Sequence, residues 1–476
     1  MTMSSRFTLA ALLLAPAVAN AAPCVRPVRA GTQVQGEVRV CPGRYRIADP
    51  SEQGVFILAA SSTSLDLTGV TLESGDSVPS RYLGVGVLSR GVDGVSIVGG
   101  TIRGYRYGIR LDGGRAHRVS GSVLSGSRSQ QLRSTATTYD EHDWLDVFRP
   151  DSFLAYGGAV LLKGTIGAAV TGVVAHDAQN GIALVGARDS YVADNDVSHN
   201  SGWGIHLYHA THNTIARNRA DHNVRCEARG YSHGCDSAAL LLRHQSDSNT
   251  VTDNELTHSG DGFFLSGQPP QVLPSVGNLV LRNDGSWSAH NAFESTFSWN
   301  NSFIENRADS SAYGFWLGFS SGTLVRGNST VGSREAGIAI ERGSDNALSA
   351  NVIIGGRIGI ELFARGPSGP ESRGYRIDDN VLARVDRGIV LERTTRAKLR
   401  GNLFDGVGDG LVVDEAGRAV VLTDNVFLHA SRFFIRAPAL TAGGNYWGTA
   451  DAAAAAARVS GKITVEPWSP ASAAGY

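Results

Sequence analysis

Residues 181–203 read GIALVGARDSYVADNDVSHNSGW, and this stretch is the unit that repeats along the chain. It opens with the alternating pattern Gly-Ile-x-Leu, carries an asparagine fourteen residues after its first glycine, and is followed at Gly204 by a second Gly-Ile-x-Leu-type run. The asparagine recurs mostly at steps of 22 or 23 residues, a period typical of a solenoid. The recurring residues are Asn195, Asn218, Asn254, Asn283, Asn306, Asn328, Asn351, Asn380, Asn402 and Asn425.

Each repeat holds two or three short apolar runs, such as Ile205/Leu207 and Ile215, separated by Asn, Gly and Asp corners. Short strands without helical periodicity favour one turn of a parallel β-helix, whose strands stack about 4.8 Å apart. We therefore predict an all-β fold, a right-handed parallel β-helix of about 12 coils capped at both ends. The ten asparagines should form one column of side chains that hydrogen-bond to each other, with Asn306 and Asn328 in adjacent coils.

The ends of the chain and its net charge indicate the cellular compartment and the kinds of partner. Residues 1–21 combine a charged start, an apolar run and the small-x-small sequence Ala19-Asn20-Ala21, which predicts a signal peptide. We expect residues 22–49 to form an N-terminal cap, 50–448 the β-helix and 449–476 a C-terminal cap with a short helix at Ala450 to Ala457. A net charge of -1 without a basic patch argues against nucleic acid as a partner. We expect a periplasmic or secreted monomer without a membrane anchor.

Four cysteines in an exported chain predict two disulfides. Their spacing pairs Cys24 with Cys41 and Cys226 with Cys235. The alternative for the second pair is a zinc site that also uses His222 and His233, but an oxidising compartment favours the disulfide.

Four insertions interrupt the coils and indicate where a site lies. The insertions at 127–157 and 223–237 come just before the first strand of a coil, and those near 268–276 and 365–374 come just after it. Loops on both sides of one sheet form a walled groove. Because side chains alternate across a strand, the residues on its floor can be read from the repeat. Those expected to bind substrate are Trp203, His206, Tyr208, Phe264, Asn291, Tyr313, Trp316 and Glu341.

Aromatic rings beside charged groups are typical of sugar binding, since rings stack on pyranose faces and carboxyl groups transfer protons. We expect Trp203, Tyr208, Tyr313 and Trp316 to face solvent along the groove. The best catalytic pair is Asp261 and Glu294, whose side chains project from the same face of adjacent coils. We estimate their carboxyl groups to lie roughly 6–10 Å apart from the strand and coil spacing, a range that suits inverting hydrolysis.

Three further residues complete the expected catalytic centre. Asp236 is a spare carboxyl group, His290 should neighbour Asp261, and Arg243 should hold a substrate acid group from the edge of the strand. If this cluster does not act, the next candidates are His142 and Asp143 of the first insertion. We predict no metal or cofactor for hydrolysis, and Ca²⁺ only if the protein is a lyase.

The laddered coils resemble the pectin-lyase-like superfamily of right-handed parallel β-helices, in particular its carbohydrate-binding proteins and sugar hydrolases. The run Gly444-Asn445-Tyr446-Trp447-Gly448 is similar to the ending of NosD-type periplasmic proteins. The resemblance implies a polysaccharide or oligosaccharide partner and leaves the reaction open. We favour a hydrolase. A lyase or C5-epimerase of uronic acids, or a non-catalytic glycan-binding or NosD-like protein, are the alternatives, although two methionines in the whole chain argue against copper handling.

Overall fold

A computed structural model describes residues 24–146, 156–226, 234–267, 273–366 and 368–465. The predicted signal peptide, Pro269 and Pro270 of the third insertion, His233 and the last eleven residues lie outside the described residues. The described chain is a parallel β-helix, in which each coil contributes a long strand, a short strand and a corner to columns of parallel strands.

The long strands form a twenty-stranded sheet, called here the front sheet. Its strands are Thr32–Val34, Phe56–Leu58, Val85–Arg90, Tyr107–Asp112, Gly158–Lys163, Asn180–Val185, Trp203–Tyr208, Ala238–Arg243, Asp261–Ser266, Asn291–Thr296, Tyr313–Trp316, Ser329–Glu341, Val352–Phe363, Val381–Ala383, Arg387–Leu391, Leu403–Asp405, Asp409–Val413, Val426–Phe427, Phe433–Thr441 and Val459–Thr464.

The short strands form a fifteen-stranded sheet, called here the back sheet. Its strands are Glu37–Arg39, Ser64–Asp66, Ser96–Val98, Arg118–Ser120, Ala169–Thr171, Tyr191–Ala193, Thr214–Ala216, Thr250–Thr252, Leu279–Leu281, Ser302–Ile304, Leu324–Arg326, Ala347–Ser349, Arg376–Asp378, Lys398–Arg400 and Val421–Thr423. The stack is therefore longer than the dozen coils expected, because it begins at Thr32 and includes the weakly patterned coils before residue 126.

Smaller elements complete the described chain. A three-stranded sheet joins Gly43–Arg46, Val70–Glu73 and Thr101–Arg103, and a two-stranded sheet joins Ser372–Arg373 and Thr394–Thr395. Short 3-10 helices occupy Pro79–Arg81, Glu141–Asp143 and Gly234–Asp236. The predicted C-terminal helix is present at Ala452–Ala456, where the Asp451 side chain accepts a hydrogen bond from the Ala453 N–H.

The repeat register derived from the sequence is confirmed. Ile205 is aligned with Ile182 and Leu240 in neighbouring coils, and all three are buried in the core. The ten asparagines form one column: Asn306 Oδ1 accepts from the Asn283 N–H at 2.9 Å, and the Asn306 N–H donates to Asn328 Oδ1 at 2.8 Å. Each asparagine thus satisfies backbone donors that would otherwise be buried without a partner.

Both predicted disulfides are present, Cys24–Cys41 and Cys226–Cys235, and no described cysteine is free. Two disulfides support export, since such bonds persist in oxidising compartments. Among the described residues, none of the helices has the length and apolar character of a membrane span.

Candidate functional site

Three of the predicted catalytic side chains meet where two adjacent front-sheet strands begin. The register aligns Phe264 with Glu294, which places Asp261 beside Asn291. The Asn291 N–H donates to Asp261 Oδ1 at 2.8 Å, and His290 Nδ1 lies 3.5 Å from the same oxygen. One nitrogen or oxygen from each of Asp261, His290 and Glu294 lies within 4.8 Å of the others.

The two carboxyl groups are closer than the 6–10 Å estimated from the strand spacing, since their nearest oxygens lie within 4.8 Å. The reason is the direction of the Glu294 side chain. It reaches back along its own strand, where the Asn291 side-chain amide donates to Glu294 Oε2. This contact removes most of the three-residue offset from Asp261, so the expected basis for inverting hydrolysis is wrong.

Asp236 approaches the cluster from the preceding coil. It is the last residue of the 3-10 turn Gly234–Asp236, next to the Cys226–Cys235 disulfide, and its φ of 57° is in the left-handed region. Its backbone oxygen accepts a hydrogen bond from Trp203 Nε1 at 2.9 Å. Burial, followed by the charges of Asp261 and Asp146, raises the pKa of Asp236 to about 8.

Glu294 is the second carboxyl group that favours its protonated form. Its side chain is nearly buried, and burial raises its pKa well above the ordinary value. The charges of Asp261 and Asp236 raise it further. The cluster therefore combines two carboxyl groups that favour the protonated form, Asp236 and Glu294, with the Asp261 carboxyl group and the His290 imidazole, an arrangement suited to acid-base chemistry.

Part of the predicted groove floor is covered. Trp203 is only 1% exposed, and His206 and Phe264 are also buried, so the expectation that Trp203 faces solvent is wrong. These side chains project from the outward face of the sheet, as the register requires. Leu145 of the first insertion packs on the same face and covers them. The apolar cluster comprises Val85, Leu88, Tyr107, Leu145, Leu161, Ala183, Trp203, Ala238, Leu241 and Phe264.

Arg243 is also buried rather than exposed at the edge of a groove. Its guanidinium lies 5.6 Å from the centre of the Tyr208 ring, and burial lowers its pKa to about 10. The expected role of Arg243 in holding a substrate acid group from an open edge does not fit this position. Tyr208 itself is half-buried, and burial lowers the pKa of the neighbouring His206 well below its ordinary value.

Tyr313 and Trp316 form the more open part of the floor. Both are partly exposed, their rings pack edge to face at 5.0 Å, and Tyr313 lies 6.2 Å from the His290 ring. The fourth insertion borders this part, because the Arg365 guanidinium lies 5.5 Å from the centre of the Trp316 ring. Glu341 is buried with its carboxylate 3.7 Å from Arg365 Nη1, an ion pair of the wall.

The two reserve candidates do not form a common site. The Asp143 carboxylate is buried and accepts hydrogen bonds from the backbone N–H groups of Arg133 and Ser134. His142 is exposed, with Nδ1 2.7 Å from Asp140 Oδ1. Asp143 thus stabilises the turn of the insertion.

Two acidic residues near the floor were not identified from the sequence. Asp146 of the first insertion acts on the pKa values of both Asp236 and Arg243, but an insertion has no repeat register from which its position follows. Glu361 is outward at the same strand position as Glu294, two coils beyond Trp316, and burial raises its pKa. The repeat alignment would have identified Glu361. Surface cavities of about 540 and 520 Å³ lie toward the ends of the stack, and none of the carboxyl groups of the cluster lines them. The cluster is therefore recognised as a candidate site by its contacts and charge.

The fold and the strand register define a right-handed parallel β-helix protein of the pectin-lyase-like kind. The A-module of Azotobacter vinelandii mannuronan C-5 epimerase AlgE4 is similar with a TM-score of 0.53 and 14% identity, over 70% of this chain and 91% of that one. The AlgE6 A-module of the same organism has a TM-score of 0.50 and 12% identity, over 83% and 91%. At these identities the likeness shows the fold alone.

A protein-family model that matches the sequence shows the family of this chain. The model described as periplasmic copper-binding protein (NosD) matches residues 69–268 and 257–456, and the chain belongs to this family. The match includes the Gly444–Gly448 run that resembles NosD-type endings. A search of curated proteins finds no match.

Proposed function

We propose that the protein is an exported polysaccharide-active enzyme that cleaves glycosidic bonds at the cluster of Asp236, Asp261 and Glu294. The observation that carries the proposal is the meeting of a protonated and an ionisable carboxyl group within 4.8 Å on the outward face of a β-helix. Tyr313 and Trp316, partly exposed beside the cluster, supply faces on which sugar rings stack.

The chemistry assigns different roles to the two carboxyl groups. Glu294, whose pKa is raised by burial, donates its proton to the glycosidic oxygen as the bond from that oxygen to the anomeric carbon breaks. Asp261, which is buried in the free protein, is uncovered when substrate binds; it attacks the anomeric carbon and forms an ester, which water then hydrolyses with Glu294 as the base. This double displacement retains the configuration, and it suits carboxyl groups about 5–5.5 Å apart better than the wider inverting arrangement.

Two neighbours support these roles. Asp261 accepts a hydrogen bond from the backbone N–H of Asn291 at 2.8 Å, which fixes the orientation of its carboxyl group. Asn291 also donates through its side chain to Glu294, so one residue fixes both carboxyl groups. His290 is partly exposed beside the cluster, 3.5 Å from Asp261, and its ring packs edge to face against Tyr313 at 6.2 Å.

Elimination and epimerisation of uronic acids are the second candidate reactions, and they require a cation that neutralises the substrate carboxylate. Arg243, the residue expected to do so, is buried beside Tyr208, whereas Arg365 lies beside Trp316 at the open part of the floor. Copper, named in the description of the family, has no part in this proposal. The proposed hydrolysis needs two carboxyl groups and a water molecule and no metal ion.

The proposal is tested by incubating the tag-free mature protein with a panel of neutral and acidic polysaccharides, with and without EDTA. Two readouts separate the reactions: reducing ends and the absorbance of unsaturated uronates. We expect new reducing ends without that absorbance, at a rate that EDTA does not change. A rise in absorbance would show that the protein is a lyase instead. If neither readout changes with any polysaccharide of the panel, the proposal that the protein is an enzyme is wrong.

A further inference from the structure

A column of histidines follows one outer corner of the coils, separate from the carboxyl cluster. His199, His222 and His258 each come four residues after an asparagine of the ladder, at φ values of 54–58°. The rings of His199 and His222 are stacked with centroids 5.1 Å apart, and those of His222 and His258 are parallel at 4.8 Å. The stack continues to Trp287 at 6.1 Å.

A buried carboxylate lies beneath the first two rings. Asp221 is only 3% exposed, and its Oδ2 lies 2.9 Å from Arg219 Nη2 and 3.2 Å from His222 Nδ1. Its Oδ1 is buried and has no hydrogen-bond partner among the described residues. One nitrogen or oxygen from each of His199, Asp221 and His222 lies within 4.8 Å of the others.

A turn alone does not account for these side chains. The equivalent corner of the preceding coil is Asp177, and Trp287 and Ser310 occupy it later, all with φ values of 55–63°. The backbone therefore accepts several residue types here, and histidine is one of those that enter this region readily, so the turn permits histidine without requiring it. What distinguishes the His199–His222 corner is that two exposed imidazoles converge on the buried carboxylate of Asp221, whose Oδ2 lies 3.2 Å from His222 Nδ1.

We propose that His199, Asp221 and His222 bind a divalent transition-metal ion. Imidazole and carboxylate are the donors that Zn²⁺ and Cu²⁺ prefer, at about 2.0–2.2 Å from the ion. Ligand atoms on one such ion lie no more than about 4.2 Å apart at those bond lengths, so small rotations of the two exposed rings bring the set into range. Asp221 supplies the fixed ligand through Oδ2, the oxygen beside His222 Nδ1, and Arg219 holds the same oxygen in place.

Arg219 sets the charge of the site. Its guanidinium lies between Asp196, at 3.8 Å, and Asp221, at 2.9 Å, so it is neutralised by two carboxylates rather than facing the ion alone. His176 also contacts Asp196, with Nε2 2.9 Å from Oδ1, and its ring lies edge-on to His199 at 5.8 Å. Two carboxylates, one guanidinium and three imidazoles therefore lie at this corner, and their net charge with neutral imidazoles is -1.

The test is calorimetric titration of the metal-free, tag-free full-length protein with Zn²⁺, followed by Cu²⁺ binding observed by electron paramagnetic resonance. We expect one Zn²⁺ per chain and nitrogen hyperfine structure in the Cu²⁺ spectrum. His222→Ala and Asp221→Asn should each weaken Zn²⁺ binding at least about tenfold. The matched control is His212→Ala, an exposed corner histidine outside the cluster, which should bind as the wild type does.

Three results would overturn the assignment. One is Zn²⁺ binding of unchanged affinity in the double variant of His199 and His222. Another is loss of the ion in Glu294→Gln, which would move it to the carboxyl cluster. The third is a wild-type protein that binds no Zn²⁺ below about millimolar concentration. Asp221→Asn preserves the shape of the corner, so it remains informative if a histidine variant does not fold.

Discussion

Replacing one asparagine of the ladder tests how the coils are held together. Asn306→Ala removes a side chain that accepts from the Asn283 N–H at 2.9 Å and donates to Val280 O at 2.9 Å. Both backbone groups are then buried without that partner. At about 1–3 kcal/mol for each unsatisfied group, the free energy of unfolding should fall by about 2–6 kcal/mol.

The measurement is chemical denaturation followed by circular dichroism, with amide hydrogen exchange to localise the effect. Ser302→Ala in the same coil is the control, since it changes a partly exposed side chain and should shift stability by less than about 0.5 kcal/mol. Exchange of the Asn283 amide should accelerate in Asn306→Ala. Equal unfolding midpoints for Asn306→Ala and Ser302→Ala would refute the reasoning that the ladder stabilises the stack.

Three further changes have defined outcomes. Replacing Cys24 and Cys41 by serine opens a loop of 17 residues and should cost about 3 kcal/mol by denaturation, with exchange increased first at Thr32–Val34. Trp203→Ala should destabilise the fold by about 3–5 kcal/mol in the same assay, because the ring is buried. Asp236 has a folded-state pKa of about 8, above its unfolded value, so its contribution to stability is lost as pH rises from about 4 to 8. Asp236→Asn should flatten that part of the stability profile, measured by thermal melting across pH, and an unchanged slope would contradict the raised pKa.

The period of the sequence was sufficient to derive the coil register. Because one asparagine marks each coil, the inward position of Ile205 and the adjacency of Asn306 and Asn328 follow from counting alone, and both are confirmed. The same count places Asp261 beside Asn291. These features depend on backbone spacing, which a repeat fixes.

What covers the outward face could not be derived in this way. Trp203 and Arg243 point outward as predicted but are buried, and Leu145, which packs on that face, belongs to an insertion without a register. The distance between Asp261 and Glu294 was misjudged for another reason. It depends on the Glu294 side chain turning back to Asn291, a choice of rotamer that strand spacing does not determine.

The most direct test of the proposed chemistry compares turnover with binding in three variants of the carboxyl groups. On a polysaccharide that the wild-type protein cleaves, Asp261→Asn and Glu294→Gln should lower the rate at least about a hundredfold and leave the affinity for the glycan within a few fold. Asp253→Asn, at an exposed corner where Asp253 pairs with Arg282, should keep the wild-type rate. Full activity of both Asp261→Asn and Glu294→Gln on that substrate would contradict the assignment of the cluster as the catalytic centre.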